Sequence, residues 1–225
     1  MNIEPLCHIQ TAFKDKFGIP RQSGLIPEAL GILEFENNNF NREALRGIED
    51  FSHLWLSFIF DKAIKDGSKS LVRPPRLGGK DKMGVWATRS PHRPNHLGLT
   101  VVKLLKVESL EKTISVVVGG VDLLDGTPIV DLKPYVPYAD IVSEAKSAWV
   151  PSPEKIFKPK VFWKEGVREL LSGEEAELIE KVLEQDPRPS AQKDDKDSYV
   201  FKIFDYQVKF ENGKEEFRVS NIKKL

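Results

Sequence analysis

Residues 99–138 read LTVVKLLKVESLEKTISVVVGGVDLLDGTPIVDLKPYVPY, and this run sets the fold class. Leu99–Glu108 and Thr113–Val118 alternate and carry β-branched residues (Val101, Val102, Val107; Ile114, Val116, Val118), with Glu111-Lys112 as the turn between them. Gly119 and Gly120 break the second segment. Asp125-Gly126 signals a further turn, and Pro128, Pro134 and Pro137 exclude helix from Val121 to Tyr138. The stretch predicts several antiparallel strands, a set that can close as a barrel. Strand–helix alternation, which a doubly wound α/β fold needs, is missing.

On the N-terminal side, Leu6–Ala12 reads as a first strand. Lys14–Gly24 reads as a loop turned by Gly18, Pro20 and Gly24, and Leu30–Glu36 as a second strand. Asn41 is placed to cap a short helix through Leu45 that Gly47 ends. Phe51–Phe60, FSHLWLSFIF, is apolar nearly throughout and free of breakers, which predicts a strand buried on both faces or set in a crowded barrel wall. Its polar end, Asp61-Lys62, is where the mouth of a site is expected.

On the C-terminal side the composition shifts over Ala139–Lys160 to Ser, Pro, Lys and Glu, and a linker is expected there. The chain then divides into a β domain over residues 1–150 and a small α+β domain over 160–225. Ser172-Gly173-Glu174-Glu175 has capping-box spacing, and Ala176, Ile179, Val182 and Leu183 form a helical stripe that stops at Asp186-Pro187-Arg188-Pro189. Strands over Tyr199–Phe210 and Glu215–Ile222 flank the hairpin signal Asn212-Gly213.

Charge is balanced overall, 34 basic against 34 acidic residues, so a protein that coats nucleic acid on all sides is excluded. Val72–Thr100 departs from that balance. It holds Arg73, Arg76, Lys80, Lys82, Arg89 and Arg93 against Asp81 alone, stiffened by Pro74, Pro75, Pro91 and Pro94. A stiff basic loop suits an anion, a nucleic acid backbone or a nucleotide-like cofactor; the alternative is a solvated surface loop, against which the apolar strands on either side argue. The single cysteine, Cys7, excludes an internal disulfide and is expected to be a buried small hydrophobe. His92 and His96 are interrupted by Pro94 and cannot share a helix face, so no metal is expected; His53 is expected in the core. No P-loop and no glycine-rich dinucleotide turn occurs. With no apolar run near ~18 residues, no membrane helix is expected. The opening MNIEPLCHIQ has no secretory pattern, so a cytoplasmic protein is expected.

Pro20-Arg21-Gln22, GIEDFSHLW from Gly47, RPPRLGG from Arg73, MGVWATRSPHRPNHLG from Met83, DLLDGTPIVDLKPY from Asp122 and DPRP from Asp186 resemble the TrmO (YaeB/TsaA-like) tRNA methyltransferases. The resemblance covers nearly the whole chain, and G-V-W-A-T-R-S-x-x-R-P-N is its most specific string. It implies a single-sheeted antiparallel β-barrel with a small C-terminal domain, acting as a homodimer. The implied activity is S-adenosylmethionine-dependent methylation of N6 of N6-threonylcarbamoyladenosine beside the tRNA anticodon.

The implied cofactor contacts fall on Arg21, Gln22 and Ser23, on Asp61 and Lys62, on Arg89 and Leu99, and on Gly119, Gly120, Val121 and Asp122. Ser23 replaces a common proline, and Asp61-Lys62 stands where relatives often carry His-Gln. The attacking nitrogen is a poor base until it begins to lose its proton, which makes Asp122 or Asp125 a candidate general base; both also read as turn-capping aspartates. For the anticodon stem-loop, Arg73, Arg76, Lys80, Lys82 and Arg93 can hold phosphates, with Trp86 or His92 available to stack. Trp86 is otherwise expected in the core. Asp186 and Arg188 are expected to close over the RNA substrate from the C-terminal part, as a fixed salt bridge. The alternatives are a non-catalytic RNA-binding module, or a methyltransferase of the same fold acting on a small acceptor; cofactor binding separates out the first.

Overall fold

The computed structural model describes residues 2–75, 81–150, 158–188, 196–213 and 215–225. The N-terminal strands are β1 (Cys7–His8), β2 (Gln10–Thr11), β3 (Leu30–Glu36) and β4 (His53–Ile59). A short ribbon, β5 (Leu71–Val72) with β6 (Met83–Gly84), precedes β7 (Leu97–Ser109), β8 (Thr113–Gly119) and β9 (Pro128–Pro134). Apart from the ribbon, these strands form one antiparallel seven-stranded sheet in the order β1-β9-β4-β7-β8-β3-β2.

The two ends of that sheet, β1 and β2, are separated by Ile9 alone. Cys7 pairs with Ile129 on one side, while Gln10 and Thr11 pair with Ile32 and Gly31 on the other. Ile9 itself is fully buried, donates to the Thr127 carbonyl at 3.1 Å and accepts from the Gly126 amide at 2.8 Å. One short segment thus stitches both edges and nearly closes a barrel, which removes the exposed edges an open sheet would present.

The inner wall comes from Leu33 and Phe35, Leu54, Leu56 and Phe58, Val102, and Ile114, Val116 and Val118, all buried. Each such side chain removed from water contributes roughly 1.5–3 kcal/mol. β4 decides between the two expectations for Phe51–Phe60: its inward residues are buried, and His53, Trp55, Ser57 and Ile59 on the other face are half-buried. It is a barrel-wall strand. Gly98 lies opposite Phe58, and a Cβ there would come within 2.2 Å of the Phe58 ring, so only glycine leaves room for that ring.

The C-terminal part is built from β10 (Lys160–Trp163), a helix over Gly173–Glu184, β11 (Ser198–Ile203), β12 (Tyr206–Asn212) and β13 (Glu216–Lys224), with sheet order β10-β13-β12-β11. The capping box is present: the Ser172 hydroxyl accepts from the Glu175 amide at 3.2 Å, and the Glu175 carboxylate accepts from the Ser172 amide at 2.8 Å. The expected strand over Tyr199–Phe210 is in fact two strands. Phe204, at φ 51°, and Asp205 turn the chain between them, and the Phe204 amide donates to the Ala12 carbonyl at 2.7 Å. Part of the expected linker, residues 151–157, lies outside the described residues, and Lys160 already belongs to a strand paired in parallel with β13. Phe13 bridges Ile203, and Ile9 and Phe13 share one apolar cluster with Phe201, Ile203, Phe210 and Phe217.

Candidate functional site

Where β8 ends, Gly120 turns the chain at φ 72° and passes against Gly24, itself at φ 73°. The Gly24 amide donates to the Gly120 carbonyl at 2.9 Å, and a Cβ on Gly120 would sit 3.1 Å from the Gly24 Cα. Two left-handed glycines therefore let two loops touch backbone to backbone. The Val121 amide, held by the Ala29 carbonyl at 3.1 Å, completes the seam. This contact brings Arg21, Gln22 and Ser23 beside Gly119, Gly120, Val121 and Asp122. Arg89, arriving on the loop before β7, donates through Nη1 to the Gln22 side-chain oxygen, and Gln22 Nε2 donates to the Arg21 carbonyl at 2.5 Å. Leu99 stands next to Thr100 on β7 and is 58% exposed.

Asp122 is the chemically distinctive member. Thr100 Oγ1 donates to its Oδ1 at 2.7 Å. Burial is the largest influence on this carboxyl and raises its pKa. The Thr100 hydroxyl, backbone donors at Asp122 and Ser23, and the charge of Arg89 pull the other way without cancelling it. A carboxyl held above its usual range is suited to taking up a proton. Sequence reasoning missed Thr100, although the signal was there: a hydroxyl on the inward-facing position of an alternating strand.

Asp125, three residues on, has a different task. Its Oδ1 accepts from the Thr11 amide at 2.9 Å and its Oδ2 pairs with Lys14 at 2.8 Å, while its own amide donates to the Phe13 carbonyl at 2.9 Å. The general-base expectation for Asp125 is corrected: both oxygens are spent fastening the N-terminal segment to the barrel.

Asp61 and Lys62 open a short helix at the end of β4 and pair with each other at 2.7 Å. Among the described residues neither is hydrogen-bonded to Arg89, Gln22 or Asp122. Arg73 and Lys82 are exposed, whereas Arg76 and Lys80 lie outside the described residues. Arg93 is engaged internally. It donates to the Val85 and Thr88 carbonyls at 3.3 and 2.8 Å and stacks 5.4 Å from the centre of the Trp86 ring. Arg93 thus braces the loop instead of reaching for a phosphate. Trp86 is 71% exposed, which corrects the core expectation and leaves one face of an indole in solvent. Cys7 is buried as expected, its thiol pushed up to about 12 by that burial. His53 is half-buried, within 2.9 Å of the Ser52 hydroxyl and edge-on to Tyr135.

Asp186 and Arg188 are 4% and 6% exposed. Arg188 donates through Nε and Nη2 to the two carboxylate oxygens of Asp186 at 2.7 and 3.0 Å, reaches Asn212 at 2.6 Å and lies over the Phe217 ring at 4.8 Å. The expected salt bridge is present, but its charged ends are buried in protein, which does not fit the RNA contact expected of both side chains. The backbone around them still meets the site loop, as Arg21 Nη2 donates to the Asp186 and Arg188 carbonyls at 3.0 and 3.3 Å. Arg21 therefore spends its guanidinium on the C-terminal part.

The tRNA-methyltransferase O N-terminal domain matches residues 8–141, and the TrmO C-terminal domain matches residues 160–225. A Pseudomonas aeruginosa protein, RcsF, to which S-adenosylmethionine-dependent methyltransferase activity is ascribed, is 51% identical over 152 residues, 68% of this chain and 62% of that protein. The tRNA (adenine(37)-N6)-methyltransferase of Escherichia coli K12 is 38% identical over 209 residues, 90% of this chain and 89% of that enzyme. A crystal structure of TrmO from Pseudomonas aeruginosa superimposes with a TM-score of 0.77 at 35% identity, covering 99% of this chain and 98% of the other.

Proposed function

This chain belongs to the TrmO family of tRNA methyltransferases, and we propose that it methylates N6 of N6-threonylcarbamoyladenosine beside the anticodon of tRNA, with S-adenosylmethionine as methyl donor. The observation that carries the reading is the seam at the barrel mouth, where Gln22, Arg89 and Asp122 converge, with Leu99 exposed one residue before Thr100 on β7. That set fits the donor. Arg89 can meet a carboxylate, Leu99 offers an apolar platform for a purine, and the backbone of Arg21–Ser23 and Gly119–Asp122 offers groups for the polar edges. When bound, the cofactor supplies an electrophilic methyl group on positively charged sulfur.

The chain's own residues have two tasks in this reading: alignment of the acceptor, and management of its proton. N6 forms a bond to the methyl carbon while the electron pair of the old carbon–sulfur bond stays on sulfur. The proton lost from N6 passes to the Asp122 carboxylate, whose burial raises its affinity for a proton. Exposed Arg73 and Lys82 are the described residues that suit phosphates of the anticodon stem-loop, and the solvent-facing indole of Trp86 suits a base. Asp61 and Lys62 contribute to the cofactor site from the end of β4. Exposed Leu97, Leu99 and Leu105 on β7 support a homodimer. The enzyme acts in the cytoplasm, and no helix among the described residues is long and apolar enough to cross a membrane.

The test is nucleoside mass spectrometry of tRNA from cells with and without the gene, beside purified protein given methyl-labelled donor and tRNA. Loss of the methylated nucleoside on deletion, with labelling of adenosine N6 in vitro, is expected. Unchanged nucleosides together with no measurable donor binding would sink the reading in favour of an RNA-binding module. Donor binding with no methylation of tRNA would favour a small-molecule acceptor.

A further inference from the structure

We propose that Thr100 is a positioning residue for methyl transfer: its hydroxyl holds Asp122 as the ionised, correctly turned proton acceptor at the barrel mouth. The inference rests on the reading of Asp122 as general base.

The argument begins with where Thr100 sits. The alternation of β7 turns Leu99 outward and Thr100 and Val102 inward, and Thr100 faces Leu56 across the pair with β4. It is 4% exposed among Leu54, Leu56, Phe58 and Val102. Packing alone would be served there by valine, which has the same shape and avoids burying a hydroxyl. Among the described residues that hydroxyl donates to Asp122 Oδ1, at 2.7 Å. That is an ordinary hydroxyl hydrogen-bond distance, with the carboxylate oxygen as acceptor. A rigid strand thus aims a donor at a carboxylate that lies on a turn, which is how a mobile group is held in one orientation.

The hydroxyl also acts on the charge state. Besides Thr100, the groups facing this carboxylate are the Arg89 guanidinium from the loop before β7, a backbone donor of Ser23 from the loop after β2, and its own backbone. Burial favours the protonated acid, and a protonated Asp122 cannot accept the N6 proton. Each donor moves the balance back toward the base, and Thr100 is the largest of them.

The experiment is the pH dependence of kcat/KM for tRNA in wild type, Thr100→Val and Thr100→Ser, with donor affinity measured by calorimetry on the same full-length proteins. In Thr100→Val the acid limb is expected to move up by ~0.5–1 pH unit. At higher pH the rate should recover to within about threefold of wild type, and donor Kd should stay unchanged. Thr100→Ser should keep the wild-type limb. A limb in Thr100→Val that coincides with wild type, or one that Thr100→Ser moves as far, would overturn the proposal. Should Thr100→Val fail to fold, Thr100→Ala against Thr100→Ser makes the same comparison. Asp122→Asn separates the premises. If it retains the wild-type rate, the reading of Asp122 falls and Thr100 with it. A large loss there, beside an unmoved limb in Thr100→Val, overturns Thr100 alone.

Discussion

Asp122 at the barrel mouth and Asp186 in the C-terminal part are both aspartates shielded from water, and they are satisfied in opposite ways. Asp186 meets Arg188 through both oxygens, and that arginine is further fixed by Asn212 and the face of Phe217. Asp122 has a hydroxyl, backbone donors and a more distant Arg89 charge, a set too weak to offset its burial. A carboxylate with a bidentate guanidinium has a settled charge and a structural task. One left short of full compensation sits closer to taking a proton, which is the condition general-base chemistry needs. The same residue type serves architecture in one region and, in the proposed mechanism, proton transfer in the other.

The largest expected effect comes from breaking the settled pair. Arg188→Ala leaves Asp186 buried without its main partner and should cost about 3–5 kcal/mol, read as a lower urea midpoint. A variant as stable as wild type would show that the pair contributes nothing and would remove this side of the comparison.

Asp122→Asn should behave in the reverse way. Methylation is expected to fall by roughly 10²–10⁴-fold. Stability should not fall at neutral pH. The folded-state pKa of Asp122 is raised, so its burial favours folding only while the acid is protonated, and that contribution is lost as pH rises through the folded value. Above the ordinary value of 3.8 the wild type progressively loses that contribution as pH rises, and Asn, which does not titrate, does not. The Tm of Asp122→Asn should equal or exceed that of wild type at pH 7, with the difference narrowing as pH is lowered toward the ordinary carboxyl value of 3.8. A variant less stable at every pH would make Asp122 a second structural aspartate.

A smaller effect tests the neighbour. Arg89 is exposed, so Arg89→Ala should shift stability by no more than about 0.5 kcal/mol while weakening donor binding about tenfold. Unfolding at room temperature with affinity retained per folded molecule would reassign Arg89 to the fold. The smallest effect is expected at the surface. Lys82→Ala should raise KM for tRNA and flatten the salt dependence of binding by about 0.7–0.9 in log–log slope, donor affinity unchanged. An unaltered slope, also in Arg73→Ala, would move the RNA surface elsewhere.

Much of the fold was legible because its signals are local. β3, β7 and β8 announce themselves by alternation, and the helix start at Ser172 by its capping box; β3 and the cap needed no shift, and β7 and β8 moved by at most two residues at an end. Three features escaped. β1 and β2 fall inside the expected strand Leu6–Ala12, but with two residues each they carry no signal that the chain changes partner at Ile9. The turn at Phe204-Asp205 lacks the Asn or Gly that normally marks a left-handed residue; a long-range bond to Ala12 holds it instead. Trp86 was expected inside, yet it is exposed and stacks with Arg93, itself held by loop carbonyls.

For the site, the sequence by itself determined the residue types and the segments: a basic proline-bounded loop, paired glycines after a strand, and aspartates at Asp122 and Asp125. It also carried the family, since long motifs survive in order along the chain. What it left open was which groups meet. Asp122 and Asp125 are alike to any local rule, each an aspartate near a turn. Their fates diverge because Thr11 and Lys14, over a hundred residues earlier, reach one, while Thr100 and Arg89 reach the other. Arg93 and Arg188 likewise carry the charge of RNA-binding residues, but carbonyls and a carboxylate in the fold consume it. A charge is written in the chain, but its desolvation and its partners depend on long-range contacts, and only tertiary structure decides those.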